Sequence, residues 1–182
     1  MSGIKGIVLL TRINYVEKHY GKDGLKAFLD KLDVDKDSPL FQPIIISKDY
    51  PEELLQDIDK VLLKEYFNNE VNKFLKLGNL TAHHILPTYF QIYIDEKNPG
   101  GFIEQTARLR PHLVGLGEML VSSIEPNQYL VRINYGQPYP ETVRLSELGF
   151  LEEGARMCGA KDVKSKIEEK DETSVEYQIE WK

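Results

Sequence analysis

The sequence predicts an α+β domain: an N-terminal helical part packed on a C-terminal four-stranded antiparallel sheet with one inserted helix. In the first part of the chain, apolar residues recur at spacings of three and four, the period of an amphipathic helix. After Gly117 the period changes, and the last segment alternates strictly between apolar and polar residues, as a half-buried strand does. Helices followed by an antiparallel sheet form an α+β arrangement.

The helical part is predicted to contain several amphipathic helices, over residues 5–20, about 23–32, 51–67, 69–86 and about 102–109. Gly21 is the predicted stop of the first helix, and Gly78 weakens the middle of the fourth. Pro87 opens a short further helix. Pro111 should bend the chain or start a new turn, because its ring and missing N–H do not fit a helix interior. His112 therefore lies just past a helix break.

The sheet is predicted from two pairs of strands with a helix over residues 140–158 between them. "EMLVSSI" and "YLVRINY" flank a turn at Pro126–Asn127, and "KDVKSKIEE" and "TSVEYQIEW" flank one at Lys170–Asp171. Alternate positions of the final strand are apolar: Val175, Tyr177, Ile179 and Trp181. The sheet should thus have one covered face and one solvated face.

Length and composition fit a single domain over residues 1–182, helical over 1–115 and with the sheet and its helix over 116–182. The net charge is −6, with 29 acidic and 23 basic residues mixed along the chain, which disfavours nucleic acid as a partner. No apolar run approaches the roughly 20 residues of a membrane span, and no signal peptide is recognised at the start. We expect a cytoplasmic protein.

The sequence contains no motif for enzymatic chemistry. G-x-S-x-G, Walker and G-x-G-x-x-G patterns are missing. The single cysteine, Cys158, lies near a predicted helix C-terminus, where the helix dipole raises the pKa of a thiol. The acidic run Asp33–Asp37 has Ser38 where a calcium loop needs glycine, and the neighbours His83 and His84 cannot jointly hold one metal ion. We expect no catalytic residue and no metal site.

Several segments resemble haem–nitric-oxide-binding domains. "IKGIVLLTRINYVEKHYG" is similar to their first helix, and "LPTYF" to a proline–serine/threonine–tyrosine–phenylalanine step in their middle. The end, "GFLEEGARMCGAKDVKSKIEEKDETSVEYQIEW", resembles the helix–strand–strand finish that they share with four-vinyl-reductase domains. "LRPHL" is similar to a proline-containing segment of a related family common in myxobacteria. The chain thus resembles the superfamily of ligand-binding domains in nitric oxide signalling and Golgi transport.

The resemblance makes His112 the counterpart of the histidine that ligates iron in haem-binding members. Those members hold the haem propionates with a tyrosine–x–serine–x–arginine run, whose counterpart here is Tyr135-Gly136-Gln137-Pro138-Tyr139. The tyrosine matches, but Gln137 replaces serine and Tyr139 replaces arginine. A tyrosine cannot pair bidentately with a carboxylate as a guanidinium does. We therefore expect no cofactor, with haem bound through His112 as the alternative.

The resemblance implies a non-enzymatic domain of bacterial signalling that senses a small apolar ligand or contacts a signalling protein. A predicted pocket between helices and sheet is lined by Tyr89, Phe90, His112, Leu116 and Tyr135, unless these side chains simply fill the core. The alternative function is a haem-dependent sensor of nitric oxide or oxygen. We also expect a homodimer through the first helix. The apolar side chains of "IVLL" at 7–10 point in nearly every direction around the helix, and the rest of the domain can cover only one side of that turn.

Overall fold

A computed structural model describes residues 3–35 and 37–182, without the side chain of Glu169. The chain forms two compact units. Unit 1 runs up to Val71 and includes His112–Gly115, and unit 2 comprises Asn72–Pro111 and Leu116–Lys182. Within the described ranges, no helix has both the length and the apolar character needed to span a membrane. The single domain with a helical part up to residue 115 stays a prediction.

The described residues of unit 1 form two short strands and two α-helices, in the order β1 (Ile4–Lys5), α1 (Gly6–Leu29), β2 (Asp49–Tyr50) and α2 (Glu52–Val61), with a 3-10 turn at Pro39–Phe41. A π-helical turn, Leu62–Tyr66, extends α2. The predicted stop at Gly21 is a kink inside α1, so the helices predicted over 5–20 and 23–32 are one element. Gly21 has φ 71°, which glycine adopts without the steric cost that a side chain would bring, and the chain re-enters a helix after it.

A buried ion pair joins α1 to α2. The Arg12 Nε atom lies 3.4 Å from Asp59 Oδ1, and the two residues are 2% and 1% exposed. The apolar turn of α1 is also covered: Ile7, Val8 and Leu9 are buried and Leu10 is half-buried. The exposed patch that suggested an interface on α1 is therefore not seen, and a homodimer through this helix stays a prediction.

The segment 112–115 pairs with β1. Lys5 donates its N–H to the carbonyl of Leu113 at 3.0 Å, and Gly115 donates to the carbonyl of Gly3 at 2.9 Å. Ile4 and Val114 form the bridge between the two segments, and both are buried. A pairing between residues so far apart in sequence leaves no local pattern, so the sequence did not indicate it.

Unit 2 contains the helices α3 (Lys73–Tyr89), α4 (Pro99–Leu109) and α5 (Glu141–Met157), and the strands β3 (Glu118–Glu125), β4 (Gln128–Asn134), β5 (Lys164–Lys170) and β6 (Ser174–Glu180). The strands form one antiparallel sheet in the order β3-β4-β6-β5. The α+β class and the four-stranded antiparallel sheet are confirmed. Val131 and Ile133 of β4 and Tyr177 and Ile179 of β6 are fully buried, so the alternating residues do cover one face.

The helices of unit 2 pack on one another and on the sheet: α3 lies along α5, α4 contacts β3, and α5 contacts β5 and β6. Pro87 lies inside α3 rather than opening a new helix. Gly78 lies where α3 crosses α5, since a Cβ atom there would be 2.0 Å from the carbonyl oxygen of Ser146. The glycine that the sequence presents as a weakness is a point of close helix contact.

Candidate functional site

The residues predicted to line a pocket differ in position and exposure. His112 belongs to unit 1, lies at the end of a single 3-10 turn and is exposed. The other four belong to unit 2: Tyr89 is 46% exposed, Phe90 and Leu116 are half-buried, and Tyr135 is 2% exposed. Among these, Tyr135 has the most closely defined surroundings. That the five residues share one pocket stays a prediction.

Tyr135 follows β4 directly and its side chain lies in a buried polar cluster of unit 2. Its hydroxyl donates to Oε2 of Glu147, on α5, at 2.5 Å. Arg110, just after α4, donates from Nε to the other oxygen of the same carboxylate at 2.9 Å. Nη1 of Arg110 also donates to the carbonyl of Leu116. One carboxylate thus holds both Tyr135 and Arg110 and engages both of its oxygens.

A second arginine, Arg144 of α5, faces the same ring. The guanidinium carbons of Arg110 and Arg144 lie 5.5 and 5.7 Å from the ring centroid of Tyr135. The ring of Tyr139 stacks on Tyr135 with centroids 4.2 Å apart, and Arg144 donates from Nη2 to the carbonyl of Glu172 at 2.7 Å. We call Tyr135, Tyr139, Arg110, Arg144 and Glu147 the Tyr135 cluster.

Each arginine of the Tyr135 cluster keeps a buried nitrogen with no acceptor among the described residues: Nη2 of Arg110 and Nε of Arg144. The two residues are 6% and 4% exposed. A buried donor without an acceptor costs about 1–3 kcal/mol. An oxygen of a bound group would be stabilised in front of either nitrogen, and most strongly if that oxygen carried a negative charge.

The charge of the Tyr135 cluster is positive at neutral pH. Burial raises the pKa of Tyr135, and the negative charge of Glu147 raises it further. Burial lowers the pKa of Arg110, but the charge and hydrogen bond of Glu147 together with the neighbouring Tyr135 and Tyr139 outweigh that effect, and the net shift is upward. The tyrosine is therefore neutral, and the charges are two guanidinium groups against one carboxylate. Such a site attracts an anion.

The cluster differs from the tyrosine–x–serine–x–arginine run in where its arginines come from. Gln137, at the serine position, is exposed, and Tyr139, at the arginine position, is buried against Tyr135. The positive charge comes instead from the end of α4 and from α5. Arg110 and Arg144 were not predicted as candidate site residues. Arg110 lies within "LRPHL", but that segment was used only to single out His112, and Arg144 belongs to none of the segments that resemble a family.

The structure gives no functional role to the single cysteine and shows no metal site among the described residues. Cys158 follows α5 directly and is fully buried, and burial raises the pKa of its thiol. Within the described part of the chain, no three His, Cys, Asp or Glu side chains are gathered as a metal site requires.

No protein-family model matches the chain, and no curated protein matches it. Solved structures do match. One is an oxygen-binding H-NOX domain related to soluble guanylate cyclases, solved as its oxygen complex, at 14% identity, with 98% of this chain and 95% of that chain covered and a TM-score of 0.73. A second comes from work on the function of haem distortion in the H-NOX family, at 14% identity, with the same coverage and a TM-score of 0.75. The chain has the H-NOX fold.

A third structure with the H-NOX fold comes from work on modulating haem redox potential through porphyrin distortion. It is 14% identical, with 98% of this chain and 100% of that chain covered and a TM-score of 0.71. These structures support the haem–nitric-oxide-binding branch of the predicted superfamily at the level of fold. The likeness to four-vinyl-reductase domains and to Golgi transport proteins stays a prediction.

The comparisons correct one prediction. We expected no cofactor, and that is wrong, because the solved structures with this fold are described by their haem and its distortion. We had inferred a loss of propionate contacts from two replacements in the motif, Gln137 for serine and Tyr139 for arginine. The fold places two other arginines against Tyr135, so a missing motif residue does not mean missing charge.

Proposed function

We propose that this chain is a non-enzymatic, cytoplasmic sensor domain of bacterial signalling that binds haem and detects a diatomic gas. The observation that carries the proposal is the H-NOX fold over 98% of the chain, shared with a domain that binds oxygen. Haem iron supplies the coordination position at which a gas such as nitric oxide or oxygen binds. The chain's own residues would hold the group, orient it and shape its surroundings.

His112 is the residue that would hold the iron of the haem. A neutral imidazole is a common ligand of haem iron. The ring of His112 is exposed, so the imidazole is not buried in a core. The chain directly after it is fixed, since the carbonyl of Leu113 accepts a hydrogen bond from Lys5. The imidazole of His112 is therefore accessible to the haem iron, while the hydrogen bond at Leu113 holds the neighbouring backbone in place.

Arg110 and Arg144 are the proposed contacts for a carboxylate of the haem, beside Tyr135. The two buried nitrogens without acceptors fit a carboxylate, which accepts two hydrogen bonds and carries the opposite charge. Tyr89, Phe90 and Leu116 are proposed as apolar contacts of the group, because part of each side chain is accessible. This assignment keeps the five residues that the sequence suggested and adds the two arginines.

The visible spectrum of the protein tests the proposal. The purified protein, reconstituted with haemin, should show a Soret band at one haem per chain. His112→Ala should lose the band or shift it, because the iron loses its protein ligand. His84→Ala is the control: His84 is an exposed histidine of α3 and its loss should leave the spectrum unchanged. A wild-type protein without a Soret band after reconstitution, or a band that His112→Ala leaves unchanged, would contradict the proposal.

The carboxylate contacts are tested by the affinity for haem. Arg144→Gln removes a charged donor, and a hydrogen bond to a charged group contributes about 1.5–3 kcal/mol, so haem should dissociate about tenfold to a hundredfold more readily. Arg132→Gln is the control, because Arg132 is an exposed arginine of the sheet that pairs with Glu176. Far-UV circular dichroism should confirm that both variants are folded. Equal haem affinity in Arg144→Gln and wild type would exclude Arg144 from the site.

A further inference from the structure

The hydroxyl of Tyr135 is already used inside the protein. It donates to Oε2 of Glu147 at 2.5 Å. A neutral phenol has one proton to donate, and a carboxylate is a stronger acceptor than an uncharged oxygen. Burial and the charge of Glu147 raise the pKa of Tyr135, so the phenol keeps this proton at neutral pH. Tyr135 therefore has no second proton for a bound group.

This hydrogen bond decides what Tyr135 can do for a bound carboxylate. An ionised carboxylate only accepts hydrogen bonds, and so does a phenol oxygen whose proton is engaged elsewhere. Two such acceptors repel each other. Tyr135 occupies the tyrosine position of the motif that holds propionates in haem-binding domains, but its hydroxyl cannot donate to a propionate in this chain.

Glu147 also fixes the guanidinium group of Arg110. Its Oε1 atom accepts from Nε of Arg110 at 2.9 Å, and the carbonyl of Leu116 accepts from Nη1. Because a guanidinium is planar, two bonds to different nitrogens fix its plane and the direction of the third nitrogen. That nitrogen, Nη2, is buried and has no acceptor among the described residues. Glu147 thus sets the direction in which Nη2 points.

We propose that Glu147 is a positioning residue of the carboxylate site: it holds Arg110 so that Nη2 donates to the carboxylate of the group, and it keeps the hydroxyl of Tyr135 from that carboxylate. The inference rests on the haem binding proposed above. Tyr135 supplies its ring, which lies 5.5 Å from the guanidinium carbon of Arg110. Glu147 acts through Arg110, because both of its oxygens are engaged within the protein.

The charges of the cluster leave room for one carboxylate. Glu147 compensates one of the two guanidinium groups, and a carboxylate of the bound group would compensate the other. The guanidinium groups of Arg110 and Arg144 both lie close to the ring of Tyr135. Glu147 therefore orients Arg110 without cancelling the positive charge that attracts the carboxylate.

Haem and its dimethyl ester, in which both carboxylates are esterified, test the proposal. The rate at which each compound leaves the reconstituted full chain is measured with an excess of a haem-scavenging globin. The wild type should hold haem more tightly than the ester, because only haem offers an ionised carboxylate. Glu147→Gln should lower this preference about tenfold, since one charge-assisted hydrogen bond is lost. A merely structural role of Glu147 would weaken the binding of both compounds alike.

Tyr135→Phe tests the second half of the proposal. It keeps the ring and removes only the hydroxyl, so the preference for haem over the ester should stay as in the wild type. Glu104→Gln is the matched control, because Glu104 of α4 accepts from the hydroxyl of Tyr129 at 3.3 Å in the same unit. Far-UV circular dichroism should show that all variants are folded.

The outcomes separate this inference from haem binding itself. A Glu147→Gln protein with the wild-type preference, or a Tyr135→Phe protein that loses it, would overturn the positioning role and leave haem binding in place. A wild type that binds both compounds equally would overturn it too, because no carboxylate would then be recognised. A wild type that binds neither compound would contradict the proposed function as a whole.

Double variants test whether Glu147 acts through Arg110. Arg110→Gln should lower the preference by about the same factor as Glu147→Gln, and the double variant should lower it no further, because both changes remove one contact. In contrast, Arg144→Gln added to Glu147→Gln should lower the preference again. Effects of Glu147→Gln and Arg110→Gln that simply multiply would overturn the proposed link.

Nuclear magnetic resonance of the haem-free protein tests the positioning directly. The Nε–H proton of Arg110 should exchange slowly with solvent, because it is buried and bonded to Glu147. Its resonance is identified by its loss in Arg110→Gln. Exchange should be at least about tenfold faster in Glu147→Gln and unchanged in Tyr135→Phe. Equal exchange in Glu147→Gln and wild type would show that Glu147 does not hold Arg110, whether or not the chain binds haem.

Discussion

The close crossing of α3 and α5 predicts that Gly78→Ala destabilises unit 2, although alanine is the better helix former. A Cβ atom at Gly78 would lie 2.0 Å from the carbonyl oxygen of Ser146, and one at Gly149 would lie 1.9 Å from that of Leu75. Ser146 also donates from its hydroxyl to the carbonyl of Phe74 at 3.3 Å. One glycine from each helix therefore allows the two backbones to approach.

Two opposing effects set the magnitude. Alanine in a helix interior is favoured over glycine by about 1 kcal/mol. Against this, an ordinary contact of about 3.4 Å requires the two helices to separate by more than about 1 Å, and overpacking of a core costs about 1–3 kcal/mol. The atoms in the way are backbone oxygens, which cannot rotate aside, so we take the upper end of that range. The net destabilisation is about 2 kcal/mol, or about 4–8 °C in Tm for a protein of this size.

Thermal unfolding measures the effect. The single tryptophan, Trp181, is 8% exposed and stacks on Tyr129 in unit 2, so its fluorescence reports on this unit. Gly78→Ala and Gly149→Ala should each lower Tm, and the double variant should lower it by less than the sum, because one displacement relieves both contacts. Lys76→Ala, at an exposed position of α3, is the control. A Gly78→Ala protein that melts at or above the wild-type Tm would refute the close crossing.

Two further predictions concern unit 2. Burial raises the pKa of Tyr135 and of Tyr177, so the fold keeps both phenols protonated while the unfolded chain ionises them near pH 10. Their contribution to stability is full below about pH 10 and falls above it by about 1.4 kcal/mol per pH unit for each tyrosine. In urea titrations at pH 9 and pH 11, Tyr135→Phe should lose less stability between the two than the wild type, and an equal loss would refute the linkage. Deleting residues 175–182 should abolish cooperative unfolding of unit 2, because the deletion removes most of β6, the strand between β4 and β5. A truncated protein whose unfolding transition is unchanged would show that β6 is dispensable.

Local patterns were sufficient for the elements whose signals are short in range. The turn predicted at Pro126–Asn127 joins β3 to β4, and Asn127 has φ 65°, a conformation that asparagine tolerates better than most residues. The alternation in the last strand matches β6, because alternation depends only on the pleat of a strand and on one buried face. The four strands of the sheet in unit 2 were therefore predicted from sequence alone, whereas the two-residue strands β1 and β2 were not.

Helix ends were less well predicted, because glycine and proline act differently in different surroundings. Gly21 was taken as a stop and is a kink, and Pro87 was taken as a start and lies inside α3. Gly78 was taken as a weak point, while its missing side chain lets α5 approach. Whether such a residue ends, bends or tightly packs a helix depends on the neighbouring element, which no local window contains.

The sequence by itself determined the fold class and the four strands of the sheet, and a family resemblance marked His112 and Tyr135 as candidate site residues. Only the tertiary structure showed Arg110, Arg144 and Glu147 around Tyr135, since these residues come from the end of α4 and from α5. The physical reason is that charges interact through space. An arginine from a distant element of the chain can bind a carboxylate as well as an arginine within the motif can. A sequence motif contains only residues that are close together in the chain. It therefore showed that Tyr139 stands where the motif has an arginine, but it could not show that Arg110 and Arg144 lie against Tyr135.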